Sequence, residues 1–108
     1  MGDKLQLACM SNMQLQEHIR RLSKNSACVM LTFHAQERML ERSVSDWEVF
    51  ECLRSGVIQR PAVRDSKKHT IRCRMEHFGS ARNLAVIVAL DEEEPELIVV
   101  TVLTKRGG

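Results

Sequence analysis

Apolar residues recur along this chain at three different spacings. Leu15, Ile19 and Leu22 follow one another at i, i+4, i+7, which puts them on one face of a helix. Ile71, Cys73 and Met75 alternate with Thr70, Arg72, Arg74 and Glu76, the two-residue period of a strand with one covered face. Leu84–Leu90 and Leu97–Leu103 are nearly continuous apolar runs, as in strands covered on both faces.

The helix boundaries are written in capping signals. Ser11-Asn12-Met13-Gln14 is a capping box, with Met10 and Leu15 placed as its hydrophobic staple. Arg20, Arg21 and Lys24 suit the negative end of that helix, and Asn25-Ser26 should end it. His34–Arg42 predicts a second helical stretch with Ala35 and Met39 inward. Ser45-Asp46-Trp47-Glu48 is a second capping box, Val44 and Val49 form its staple, and Gly56 is expected as a left-handed stop. Between the first two helices, Val29–Phe33 reads either as a brief strand or as an extended lead-in.

After Gly56 the pattern is that of strands. Val57–Arg64 contains Pro61, which has no N–H for a central ladder, so it predicts an edge or a bulge. Asp65-Ser66-Lys67-Lys68 predicts a turn into the strand His69–Phe78, and Gly79–Arg82 a second turn. The acidic segment Asp91–Pro95 joins the two apolar strands. The expected architecture is α+β: two or three N-terminal helices packed on a four-stranded antiparallel meander. Residues 1–10 show no period and are expected to be mobile; residues 11–108 form one domain.

Composition adds little until charge is located. The chain has 108 residues, 44% apolar and 28% charged, with a net charge of +2. That charge is unevenly placed. Arg54 to Arg82 holds eight bases against Asp65 and Glu76, while the remainder holds eight bases against twelve acids. A cationic segment of this kind suits a polyanion. No apolar run reaches a membrane span and no signal core opens the chain, so a cytosolic protein without a membrane partner is expected. Cys9, Cys28, Cys52 and Cys73 are too far apart for a metal clip and are expected as reduced thiols. No zinc-ligand spacing, phosphate loop or serine elbow occurs, so neither metal nor cofactor is expected.

Two groups of residues can carry chemistry. His34, Arg38 and Arg42 lie four apart and share a helix face, joining a proton-transfer group to two guanidinium groups that can hold phosphate. Arg38 can instead pair with Glu41, leaving a solvated face. The second group is the β-region, with Arg60, Arg64, Lys67, Lys68, Arg72 and Arg74 as phosphate contacts. Its alternative is a solubilising sheet edge. Trp47 and the three Phe are read as mainly apolar-site residues, which leaves no aromatic for base stacking on the arginine-bearing face. His69 and His77 share parity with Ile71, Cys73 and Met75.

The run Phe33-His34-Ala35-x-x-Arg38-Met39-x-x-Arg42-x-Val44-Ser45, followed by Val49, Leu53, Gly56-Val57-Ile58 and Ile98–Val102, resembles an uncharacterised bacterial domain family. That family is grouped loosely with the RelE-, ParE- and BrnT-like toxins of type II toxin–antitoxin systems. The resemblance covers roughly residues 30 to 104 and implies a helix-then-sheet, metal-independent ribonuclease acting on mRNA, with an antitoxin protein as partner. Carried over by position, the catalytic residues would be His34, Arg38 and Arg42. Many RelE-like toxins use a C-terminal aromatic or His; here Thr101–Lys105 stands in that region. The leading expectation is a toxin-like RNA-binding domain with ribonuclease activity. Its rivals are a non-catalytic protein- or nucleic-acid-interaction module and a gyrase-directed toxin of the ParE kind. The ribonuclease requires His34, Arg38 and Arg72 to meet in one cleft.

Overall fold

A computed structural model describes residues 10–65, 67–79, 82–91 and 97–105. Three helices, α1 (Asn12–Ser23), α2 (Phe33–Glu41) and α3 (Asp46–Ser55), accompany a six-stranded sheet. The strands are β1 (Val29–Leu31), β2 (Val57–Ile58), β3 (Val63–Asp65), β4 (Thr70–Phe78), β5 (Asn83–Asp91) and β6 (Leu97–Lys105). Their order is β1-β6-β5-β4-β2, and β3 also pairs with β4. The α+β class stands, but the sheet is mixed and six-stranded rather than a four-stranded meander.

Both differences have a physical cause. Val29–Leu31 is a strand because β6 presents a free ladder edge, and it pairs there in parallel. Its partner lies nearly seventy residues away, beyond the reach of local pattern. The run Val57–Arg64 splits because Pro61 interrupts the ladder. β2 and β3 each pair antiparallel with β4, separated by Gln59–Ala62.

The helix starts follow the capping chemistry. Ser11 Oγ accepts from the Gln14 N–H, and the Ser11 N–H donates back to Gln14 Oε1. Glu48 Oε1 accepts from both the N–H and the hydroxyl of Ser45. Thr32 opens α2: its Oγ1 accepts from the Ala35 N–H and donates to Val99 O on β6. Met10 packs against the core; residues 1–9, expected to be mobile, lie outside the described residues.

Gly56 ends α3 in extended backbone (φ −75°, ψ 174°), not in the left-handed stop that the sequence suggests. It is glycine because the chain is crowded. A Cβ there would overlap the Cys52 carbonyl oxygen and sit 3.0 Å from Glu76 O.

One apolar core lies between the helices and one face of the sheet. Leu15, Ile19, Ala35, Met39, Val49, Cys52 and Leu53 meet Ile71, Cys73, Met75, Val86, Val88, Val99 and Val102. Burial pushes the thiols of Cys52 and Cys73 up to about 12, so both are neutral packing groups. The other sheet face carries no helix among the described residues, so β5 and β6 are not covered twice as their apolar runs suggest. Small Ala85 and Ala89 are buried there by their neighbours, while Ile87, Ile98 and Leu103 remain half-buried. No helix among the described residues is long and apolar enough to cross a membrane.

Overpacking at a backbone contact should be costly. Gly56→Ala is expected to lose about 1–3 kcal/mol in a denaturant titration. Gly79→Ala should lose less, because its nearest neighbour, Arg82 O, stands 3.1 Å from the added Cβ. Equal losses would mean that the Gly56 contact is not what fixes the residue.

Candidate functional site

The sheet separates the two groups of candidate residues. α2 packs on the helix-covered face through Ala35 and Met39, which share one core with Ile71, Cys73 and Met75. His34, Arg38 and Arg42 lie on the solvent side of that layer, with His34 exposed. Alternation in β4 sends Arg72, Arg74, Glu76 and Phe78 to the opposite, helix-free face. The cleft joining His34, Arg38 and Arg72 is therefore not formed.

Within the helical motif, Arg38 is paired with Glu41 at 2.6 Å, the local arrangement that rivals a phosphate role. Arg42 caps α2, and its carbonyl accepts from Arg82 Nη1 at 2.9 Å.

The β-region residues are brought together more closely. Residues 60–74 contain six bases and one acid, and they fold as one edge of the sheet and its hairpin. Asp65 is used in the turn: its Oδ1 accepts from the N–H groups of Lys67 and Lys68 at 3.1 and 3.3 Å. The side chains of both lysines are exposed at the tip, as is His69, whose positive φ of 53° places it in the turn rather than in the strand. Arg60 lies in the break between β2 and β3, and Arg64 pairs across from Ile71 on the helix-side parity.

Registers define the helix-free face row by row. One row runs Val63–Arg72–Ala89–Ile98–Met30 across five strands. The next carries Arg74, Ile87 and Thr101, and the third Val57, Glu76, Ala85 and Leu103. Arg74 Nε lies 3.8 Å from the buried Glu76 carboxylate, too long for a hydrogen bond, and Nε has no hydrogen-bond partner among the described residues. Phe78 is 58% exposed on this face. The expectation that it holds no aromatic is thus corrected: Phe78 ends β4 where the apolar cover has run out.

Arg82 is removed from the cationic set. Its Nε and Nη2 bind the two carboxylate oxygens of Glu48 at 2.8 and 2.9 Å, and Nη1 and Nη2 donate to Arg42 O and Ser43 O. The guanidinium holds Glu48 down to about 2. It also clamps the α2–α3 link where Ser43 adopts a left-handed φ of 54°. Arg54 is likewise engaged, donating to Ser23 O at 3.1 Å and lying 5.2 Å from the Phe50 ring centre.

A constellation unforeseen from sequence lies beside this clamp. His77 points to the helix side, and its Nε2 meets Glu51 Oε1 at 2.8 Å. Trp47, Glu48, Gly79, Arg82 and Leu84 complete a small hollow around them. The signal available in sequence was Trp47 and Glu51 one helical turn apart, with Trp47 inside a capping box. Among the described residues no group of three or more His, Cys, Asp or Glu is placed to hold a metal.

A family model described as Domain of unknown function (DUF4258) matches residues 31–104, and the chain belongs to that family. α1 precedes the matched segment. No curated protein and no solved structure matches the chain.

The Glu48–Arg82 pair gives a pH dependence of defined sign. Glu48's carboxyl is depressed in the folded state, so its contribution is fully present above the ordinary carboxylate value of 4.5. It is lost as pH falls from there towards about 2. Wild type should lose more stability over that range than Glu48→Gln; parallel curves would deny the pair this role.

Proposed function

We propose that this DUF4258 member is a nucleic-acid-binding module that grips single-stranded RNA through its cationic β3–β4 edge without cleaving it. The observation that carries this reading is the six-to-one excess of bases over acids in residues 60–74, with the one acid turned inward on the hairpin backbone. Lys67, Lys68 and Arg72 are exposed for phosphate, and Arg60 and Arg64 line the same edge.

Separation of His34 from Arg72 and Arg74 by the thickness of the sheet argues against a shared phosphate at a ribonuclease centre. General acid–base catalysis needs the proton-transfer group within hydrogen-bond reach of the reacting oxygen. In this reading, toxin-like action comes from occupancy of RNA, and an acidic antitoxin would compete for the same edge. A protein partner is the second reading, favoured by Met30 and Val63, which are 53% and 65% exposed in one sheet row with Arg72.

Fluorescence anisotropy on a labelled single-stranded RNA, read against salt, tests the proposal. Lys67→Ala with Lys68→Ala should lower the slope of log K against log salt by about 1.4, at ~0.7 per phosphate contact. Arg72→Glu should abolish binding, and His34→Ala should leave it unchanged. Unaltered binding in Arg72→Glu would remove RNA from the sheet edge. Metal-independent cleavage that disappears in His34→Ala would instead restore the ribonuclease.

A further inference from the structure

The hollow beneath Trp47 has a chemistry of its own. Its volume is about 60 Å³, several times the ~10–15 Å³ that one water needs. That is room for the head of a charged side chain. Leu84, 3% exposed, forms part of its apolar lining, and Trp47, 65% exposed, stands at its rim.

Charge decides what it can hold. Glu48 and Arg82 neutralise one another through paired hydrogen bonds. Arg82's remaining hydrogen bonds go to Arg42 O and Ser43 O, so it is spent as an anion receptor. Glu51 is different. A carboxylate only accepts, so His77 Nε2 is the donor in their 2.8 Å contact, which fixes the direction of Glu51. The carboxylate side chain remains 45% exposed. With Glu48 paired to Arg82, an anionic ligand would still face the Glu51 carboxylate and is disfavoured.

We infer that this hollow binds an organic cation, a guanidinium or alkylammonium group, held between the Trp47 ring and the Glu51 carboxylate. The chain already makes the same kind of contact one turn further along α3, where the Arg54 guanidinium lies over Phe50. Trp47 and Glu51 also line the adjoining hollow around that pair, so the cation site continues a surface that already accommodates a guanidinium. A cation over Trp gains about 0.5–2 kcal/mol, and a charge-assisted hydrogen bond to Glu51 adds direction. The source is either a free amine or guanidine, or an Arg or Lys side chain of a partner polypeptide.

Trp47 is the only tryptophan in the chain, so its emission reports this site directly. The full chain is titrated at fixed ionic strength with methylguanidinium, with a short capped peptide bearing one arginine, and with the citrulline counterpart of that peptide. A saturable change with either cation, and none with the neutral citrulline peptide, is expected. Glu51→Gln should weaken it by at least about tenfold, the worth of one charged contact. Saturation by the peptide at lower concentration than methylguanidinium identifies a polypeptide side chain; the reverse order identifies a small cation. Calorimetry on Trp47→Ala, whose exposed ring leaves the core intact, should show the same loss. The inference is overturned if neither cation saturates, if citrulline matches arginine, or if both variants bind like wild type.

Discussion

Helical cover of one sheet face alone decides where every candidate side chain points. A strand sends successive residues to opposite faces, so burying Ile71, Cys73 and Met75 under α3 and its neighbours forces Arg72 and Arg74 away from the helices. Moving the arginines to His34's side would require a one-residue slip of β4. That slip would place the arginines in the core and three of its apolar side chains in solvent. At roughly 1.5–3 kcal/mol per large apolar side chain, plus the desolvation of two guanidinium groups, no local interaction reverses this. The helical motif and the arginine strand therefore belong to separate surfaces.

The same frame sorts the cations that the sequence presents as a set. Arg82 and Arg54 are consumed inside the fold, one on Glu48 and two carbonyls, the other on Phe50 and Ser23 O. They stabilise connections between elements: Arg82 ties the β4–β5 hairpin to the α2–α3 link, and Arg54 ties α3 to the end of α1. Exposed along the sheet edge and its hairpin are Arg60, Lys67, Lys68 and Arg72. At the hairpin tip Lys67 and Lys68 stand exposed, with Asp65 drawn into the turn. Further along β4, Arg74 lies beside the buried Glu76 carboxylate.

Features resting on neighbours in sequence were legible. Both capping boxes, the inward faces of α1 and α3, the alternation of β4 and the hairpin turns need only residues within a few positions of one another. Features set by distant partners were not. Of the two readings left open for Val29–Phe33, the strand is selected by Leu97–Val99, and at Gly56 the distant Glu76 O adds to the closer crowding by Cys52 O. The Glu51–His77 contact joins residues twenty-six apart, and Arg82 meets Glu48 across thirty-four. Phe78 was misplaced for a related reason. Aromatic character suggests burial, but its position at the strand end on the even parity places it beyond helical cover.

α1 shows how the matched segment is completed from outside itself. Leu15 and Ile19 enter the same core as Val49 and Leu53. The two helices also cap one another. Arg20 donates to Gly56 O at 2.8 and 3.1 Å, satisfying the end of α3, while Arg54 on α3 donates to Ser23 O at the end of α1. Gln16 Oε1 accepts from the Ile58 N–H, holding the edge strand β2 in place. Each of these contacts pairs a residue before Leu31 with one after it. The cooperative unit of this chain is therefore the matched domain together with its preceding helix, and the cationic edge that follows β2 is positioned by both.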